Sequence, residues 1–219
     1  MLMKNALEVF QDLTIESSIK INSLRDKLTA QAHGEWGHDI ERENEISDAA
    51  LVDEDVIVFN RAAFDDIDES CLILWQYGNQ YKVTNIVPRN SGELGIRKYN
   101  IILNDFFNEI VIPMHKEGFL NFNISAQLKT IDSWLDESAA DALMKFSRLA
   151  NKSTKASHPL DQKRWLNFLI KAHRSAIKPD ASELMRWLCE ICEWPDETAS
   201  DLAIEYEFSL SLLNEYDKR

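Results

Sequence analysis

No glycine follows Gly118, although the chain runs on to Arg219. Sharp turns with positive φ favour glycine, so its absence excludes a second half built of tight hairpins. Helices joined at other residues are expected there instead. Three of the five prolines, Pro159, Pro179 and Pro195, lie in that half at the joints between helical patterns. Cysteine is as scarce. Cys71, Cys189 and Cys192 are too few for a disulfide framework, and a reducing, cytosolic setting is expected. No run of about 18 apolar residues occurs, which excludes a membrane-spanning helix and membrane partners from the expectation. Lys4, Glu8 and Asp12 break up the start of the chain, so no secretory core is expected. Internal repeats and low-complexity segments are also missing.

Acid is what the chain has in excess. Thirty-seven Asp and Glu stand against twenty-four Lys and Arg, a net charge of −13. Such a balance argues against wholesale binding to nucleic acid or anionic lipid, so any such contact is local. Hydrophobic residues make up 45% of the 219, enough for a real core in one large domain or two small ones.

The pattern predicts an α+β fold: a small antiparallel sheet with helices in residues 1–124, then an all-helical subdomain of about four helices in residues 125–219. One continuous domain is the alternative reading, since no linker rich in glycine, serine or proline separates them. Residues 5–31 lean towards helix. An acidic stretch follows at 39–55, and residues 56–59 read as a strand. The clearest β signal is 71–77 and 80–87 across Gly78-Asn79, a tight antiparallel hairpin. Pro88 ends it. Tyr99, Ile102, Leu103, Phe106 and Ile110 repeat at helical spacing, which predicts a helix near 98–112 stopped by Pro113. Residues 119–124 read as one more strand.

In the second half, helices are expected near 136–150, 159–177, 181–194 and 197–216. Asp136, Asp180 and Asp196 are cap candidates, and Pro159 suits a first helical position. Residues 202–212 also alternate like a strand. As a helix they would be apolar on two sides, with Ile204 and Phe208 nearly opposite Leu202 and Tyr206. Self-association through this last helix is therefore an expectation.

Charge sign is uneven along the chain. Residues 145–178 hold nine cations and one acid, Asp161, so this window is +8 and the remainder −21. On a helix at 100° per residue, Lys163, Arg164, Asn167, Lys171, Arg174 and Lys178 share an arc of about 100°. Lys152 and Lys155 extend it at the N-terminal end. Two readings stand. The stripe docks an acidic protein or an anionic ligand, or it is balanced by this chain's own Glu183, Glu190 and Glu193. The loop at 151–158 leads into a helix N-terminus, where anions bind, but it lacks the glycines of a phosphate cradle.

Other constellations are weaker. Cys189 and Cys192 match CxxC on a helical pattern and read as core cysteines. His33, Glu35, His38 and Asp39 could hold a metal, but they lie in a loop with Gly34 and Gly37 and fit no helix-borne HExxH pattern. His173 reads as a satisfied buried histidine. No metal and no cofactor is expected. His158, beside Lys155, Ser157 and Asp161, is the best candidate for acid–base work. Three functions follow: a non-enzymatic interaction protein of accessory, inhibitor or immunity type; a binder of nucleic acid or nucleotide phosphate through residues 152–178; and a hydrolase or transferase using His158. The absence of a catalytic constellation favours the first.

Overall fold

Gly78 has φ of 61°, and with Asn79 it reverses the chain between two long strands. The computed structural model describes residues 6–49, 55–90, 92–153 and 156–219. Eight strands occur among them: Leu7–Glu8 (β1), Leu13–Ser17 (β2), Trp36–His38 (β3), Val56–Arg61 (β4), Ser70–Tyr77 (β5), Gln80–Pro88 (β6), Leu120–Ile124 (β7) and Leu128–Lys129 (β8). The helices are Ile21–Gln31 (α1), Ile40–Ala49 (α2), Gly95–Phe106 (α3), Ile112–Lys116 (α4), Glu137–Leu149 (α5), Pro159–Arg174 (α6), Ala181–Arg186 (α7) and Asp196–Asp217 (α8). The fold is α+β, as the pattern predicts. β1 pairs with β8, and the other six strands form one sheet in the order β3-β4-β5-β6-β2-β7. Every neighbouring pair in it is antiparallel.

The chain divides into two compact units, Glu8–Gln127 and Leu128–Arg219, with Leu7 joining the second. In the first, the hairpin forms as expected, with Tyr77 opposite Gln80 and a bulge between Ile73 and Leu74. The helical leaning of residues 5–31 holds only for α1. Leu13, Ile15 and Ser17 are buried and alternate with the more exposed Thr14 and Glu16, a period of two. That segment fills the slot between β6 and β7 and gains a ladder on each side, which outweighs its neighbours' helical preference. Leu24, Leu28, Trp36, Phe59, Leu72, Tyr81, Ile102, Leu103 and Phe106 share one core with Leu13 and Ile15.

Pro113 does not stop the helix that begins at Gly95. A π turn, Phe107–Val111, comes first, and the helix resumes as α4 with Pro113 in its first turn. The widened turn absorbs the ladder bond the proline cannot make.

In the second unit, Asp136 caps α5 by accepting from Ala139 N–H at 2.9 Å. Asp180 and Glu183 form a capping box on α7, which runs on through a π turn, Trp187–Ile191. Asp196 lies inside the first turn of α8, and Pro195 holds the cap position without a side-chain bond. α6 ends at Arg174, short of 177. Ser175 is extended and buried, and its Oγ accepts from Asp136 N–H. Residues 202–212 are helical. Phe146, Trp165, Phe168 and Tyr206 are fully buried, with Trp194 stacked on Phe146 at 5.2 Å. No helix among the described residues is long and apolar enough to cross a membrane.

Space around Gly78 is open, so a side chain there meets no neighbour, but its φ disfavours any residue with a branched Cβ. Gly78→Val should destabilise the protein by about 1 kcal/mol or more in denaturant unfolding. An unchanged midpoint would contradict the turn geometry.

Candidate docking surface

α5 and α6 lie against each other, and their outward sides carry the cations that the sequence concentrates here. Helix α6 buries Asp161, Trp165, Phe168, Leu169 and Ala172. That leaves Lys163, Asn167 and Arg174 exposed on the opposite side, with Leu160, Leu166 and Ile170 between them. Lys145 and Arg148 are exposed on α5. A groove of about 380 Å³ is lined by Ala142 and Lys145 of α5 and by Leu160, Lys163, Arg164 and Asn167 of α6.

The expected stripe is only partly one surface. Lys163, Asn167 and Arg174 belong to it. Arg164 turns to its own helix and pairs with the buried Asp161. Lys171 is half-buried and donates to Ser138 O at 3.1 Å. Lys152 donates to Cys192 O, which neutralises carbonyl charge at the end of the π turn. Lys178 falls beyond the end of α6 and donates to Ser175 O. Lys155 lies outside the described residues. Lys145 was legible as a charge but not as a neighbour of Lys163, because adjacency between two helices leaves no trace in either pattern.

Two of the three acids expected to balance the stripe are engaged elsewhere. Glu183 accepts from the Asp180 N–H and pairs with Lys129 at 3.7 Å. Glu190 pairs with Arg186 at 2.9 Å. Glu193 occupies a turn with φ of 57°. Among the described residues, no ion pair involves Lys145, Lys163, Lys171 or Arg174.

His158 caps α6. Its Nδ1 accepts from Leu160 N–H at 3.3 Å, while its carbonyl accepts from the N–H groups of Asp161 and Gln162. The chain thus fills this helix end itself. Asp161 is taken by Arg164 and by Asn151 N–H, and the described contacts bring no carboxylate to the His158 ring. His173 bonds Asp217 through Nε2 at 2.7 Å, and its buried Nδ1 has no partner among the described residues.

The four residues at 33–39 do not converge. His38 bonds Glu43 at 2.7 Å, Glu35 lies 3.7 Å from Arg61, and Asp39 lies 3.4 Å from Arg89. Glu43 belongs to a polar network that sequence reading missed. Arg25 bridges Glu43 and Asp55, and Tyr81 donates to Asp55 at 2.6 Å. Burial, then the bond to Asp55, pushes the Tyr81 phenol well above its usual range. The network joins α1 and α2 to the sheet.

On α8, Ile204, Phe208, Leu212 and Tyr216 recur every fourth residue and are all exposed. Leu202 and Tyr206 on the other side are buried. The two apolar sides expected of this helix are both present.

No known protein family, curated protein or solved structure matches the chain.

Cys189 and Cys192 sit at the π turn as free thiols. Burial, with a bond to Asp196 behind it, pushes Cys189 up to about 11, and burial raises Cys192. A free thiol titrates near 8.5 and reacts as the thiolate. Raising the pKa lowers the thiolate fraction at neutral pH, so Cys189 should alkylate roughly three-hundredfold slower than free cysteine and accelerate until the pH passes about 11. Peptide mapping after timed iodoacetamide treatment measures this, and alkylation at the free-cysteine rate would refute it.

Proposed function

We propose that this chain is a non-enzymatic interaction protein that docks an acidic protein segment on the exposed side of α5 and α6. One observation carries the reading: Lys145 and Lys163, which line the groove, and Arg174 further along α6 are exposed cations with no acid of the described residues paired to them. Lys145 and Arg148 on α5, and Lys171 and Arg174 on α6, stand three residues apart, and like charges at that spacing repel by a few tenths of a kcal/mol per pair unless something negative covers them. Leu160, Leu166 and Ile170 lie exposed among these charges. Interleaved apolar and basic residues suit a protein partner, which offers both apolar and acidic side chains. A single-stranded nucleic acid would draw instead on stacking aromatics, and the exposed residues of α6 include none. The role of His158 as a helix cap speaks against acid–base work there.

The partner class separates in one experiment. The variant Lys145→Glu with Lys163→Glu should bind a labelled peptide alternating glutamate and leucine at least roughly tenfold more weakly than the parent. Its melting temperature should move by no more than about 2–4 °C, because exposed charges contribute little to stability. Equal peptide binding by parent and variant would overturn the proposal. Preference for single-stranded DNA with a steep salt dependence would replace it with the phosphate-binding reading.

The exposed stripe on α8 supports a second contact, between copies of this chain. Phe208→Asp should leave folding unchanged and abolish concentration-dependent sedimentation. A parent protein that sediments as a monomer at every concentration would refute that contact.

A further inference from the structure

The sheet has an uncovered edge in its interior. β2 pairs with β6 only where Thr14, Ile15 and Glu16 face Lys82, Tyr81 and Gln80. β6 runs on to Pro88, and among the described residues no strand covers that side beyond Lys82. The chain before β2 is held away from it. Gln11 N–H donates to Asn100 Oδ1 at 3.0 Å, and Asn100 Nδ2 donates to Val9 O at 2.8 Å. Asp12 N–H donates to Ser125 Oγ at 2.8 Å. A groove of about 600 Å³ results, lined by residues 82–88 together with Phe10, Tyr77, Leu94 and Tyr99. Phe10 rests edge-on against Tyr99 at 5.0 Å and is half exposed.

The backbone direction along this edge can be worked out. Arg89 N–H bonds Glu69 O on the β5 side. An antiparallel ladder alternates, so Val87 also faces β5 and Ile86 faces away from it. The N–H and C=O of Ile86 therefore point to the groove side. The bulge leaves the side chains of Thr84 and Asn85 both exposed and shifts the register, so only a short segment can follow the edge.

We propose that the open edge of β6 takes up a short extended peptide of a partner protein by strand addition, with an apolar side chain in the groove and lysine or arginine beside it. An unpaired edge binds extended backbone, and a groove beside it selects the side chain. A helix satisfies its own backbone and has nothing to give Ile86. A second copy cannot bring the same edge, because that edge is itself recessed in a groove. Charge selects the sign. Asp12 and Glu93 line the groove, and Lys82 lies 3.6 Å from Asp12. The unit Glu8–Gln127 holds twenty-one acids against ten bases, a net −11. This surface is separate from the α5–α6 face and does not rest on it.

The test uses the full chain and a set of labelled hexapeptides with lysine or arginine at odd positions and valine, isoleucine, leucine, phenylalanine or tyrosine at even ones. Fluorescence polarisation finds the best binder, and amide hydrogen exchange reads the edge. In the free protein, Ile86 should exchange faster than Val87. The best peptide should slow Ile86 by roughly tenfold or more. The same peptide N-methylated at its pairing amides should not bind. Asp12→Lys with Glu93→Lys should weaken the basic peptide by roughly tenfold, with an unchanged melting temperature showing that the fold persists. Three results would overturn the proposal: no saturable binding by any peptide at millimolar concentration; binding that leaves Ile86 exchange unchanged; and protection of Ile86 that rises with protein concentration in the absence of peptide.

Discussion

β2 spans five residues and β6 spans nine, and much of the first unit follows from that mismatch. Among the described residues β2 is the one strand between β6 and β7, and β7 joins the sheet through it. Its inward residues Leu13 and Ile15 are fully buried in the shared core with Ile102, Leu103 and Phe106. Burying such side chains is worth about 1.5–3 kcal/mol each. The same strand is too short to cover its longer neighbour. Asn100, itself fully buried, holds residues 9 and 11 by two hydrogen bonds and so fixes where β2 can begin. An uncovered half-edge is the consequence of where that asparagine stands.

The second unit is governed by which charges find partners inside it. Its caps use acids economically: Asp136, Asp180 and Glu183 all satisfy helix N–H groups. Asp161 serves Arg164 and the loop backbone, and Asp217 serves His173. Carboxylates consumed in this way are no longer available to the α5–α6 face. Lys152 and Lys171 are drawn off to backbone carbonyls, so among the described residues the surplus charge narrows to Lys145, Arg148, Lys163 and Arg174. Arg148 is in part retained by its own helix, through Met144 O. What the window of residues 145–178 has in sequence is therefore larger than what the folded surface presents.

Local chemistry made the hairpin, the Asp136 and Asp180 caps and the helical second half legible. Each depends on a turn residue or a spacing within a few positions. The failures have a common cause in contacts between distant segments. β2 was hidden because its ladders come from residues about 65 and 110 positions away, beyond any local pattern. α2 carries Asp39 at its start, bonded to Arg42 N–H, followed by Glu41 and Glu43 in the first turn. That signal was present in the sequence but was submerged in a uniformly acidic stretch. The early end of α6 depends on Ser175 reaching Asp136, which no helical wheel records. For the same reason the stripe was drawn too long, with Arg164, Lys171 and Lys178 counted as free when each has a partner nearby.

The central claim is that the cations of α5 and α6 face outward to an acidic protein segment. It is tested most directly by mapping side-chain NMR shifts of the full-length protein during titration with a peptide alternating glutamate and leucine. The account predicts saturable shifts at Lys145, Lys163, Asn167 and Arg174, together with Leu160, and little change at Lys152, which is already held by Cys192 O. Shifts that are absent from these residues, or that concentrate elsewhere on the chain, would contradict it.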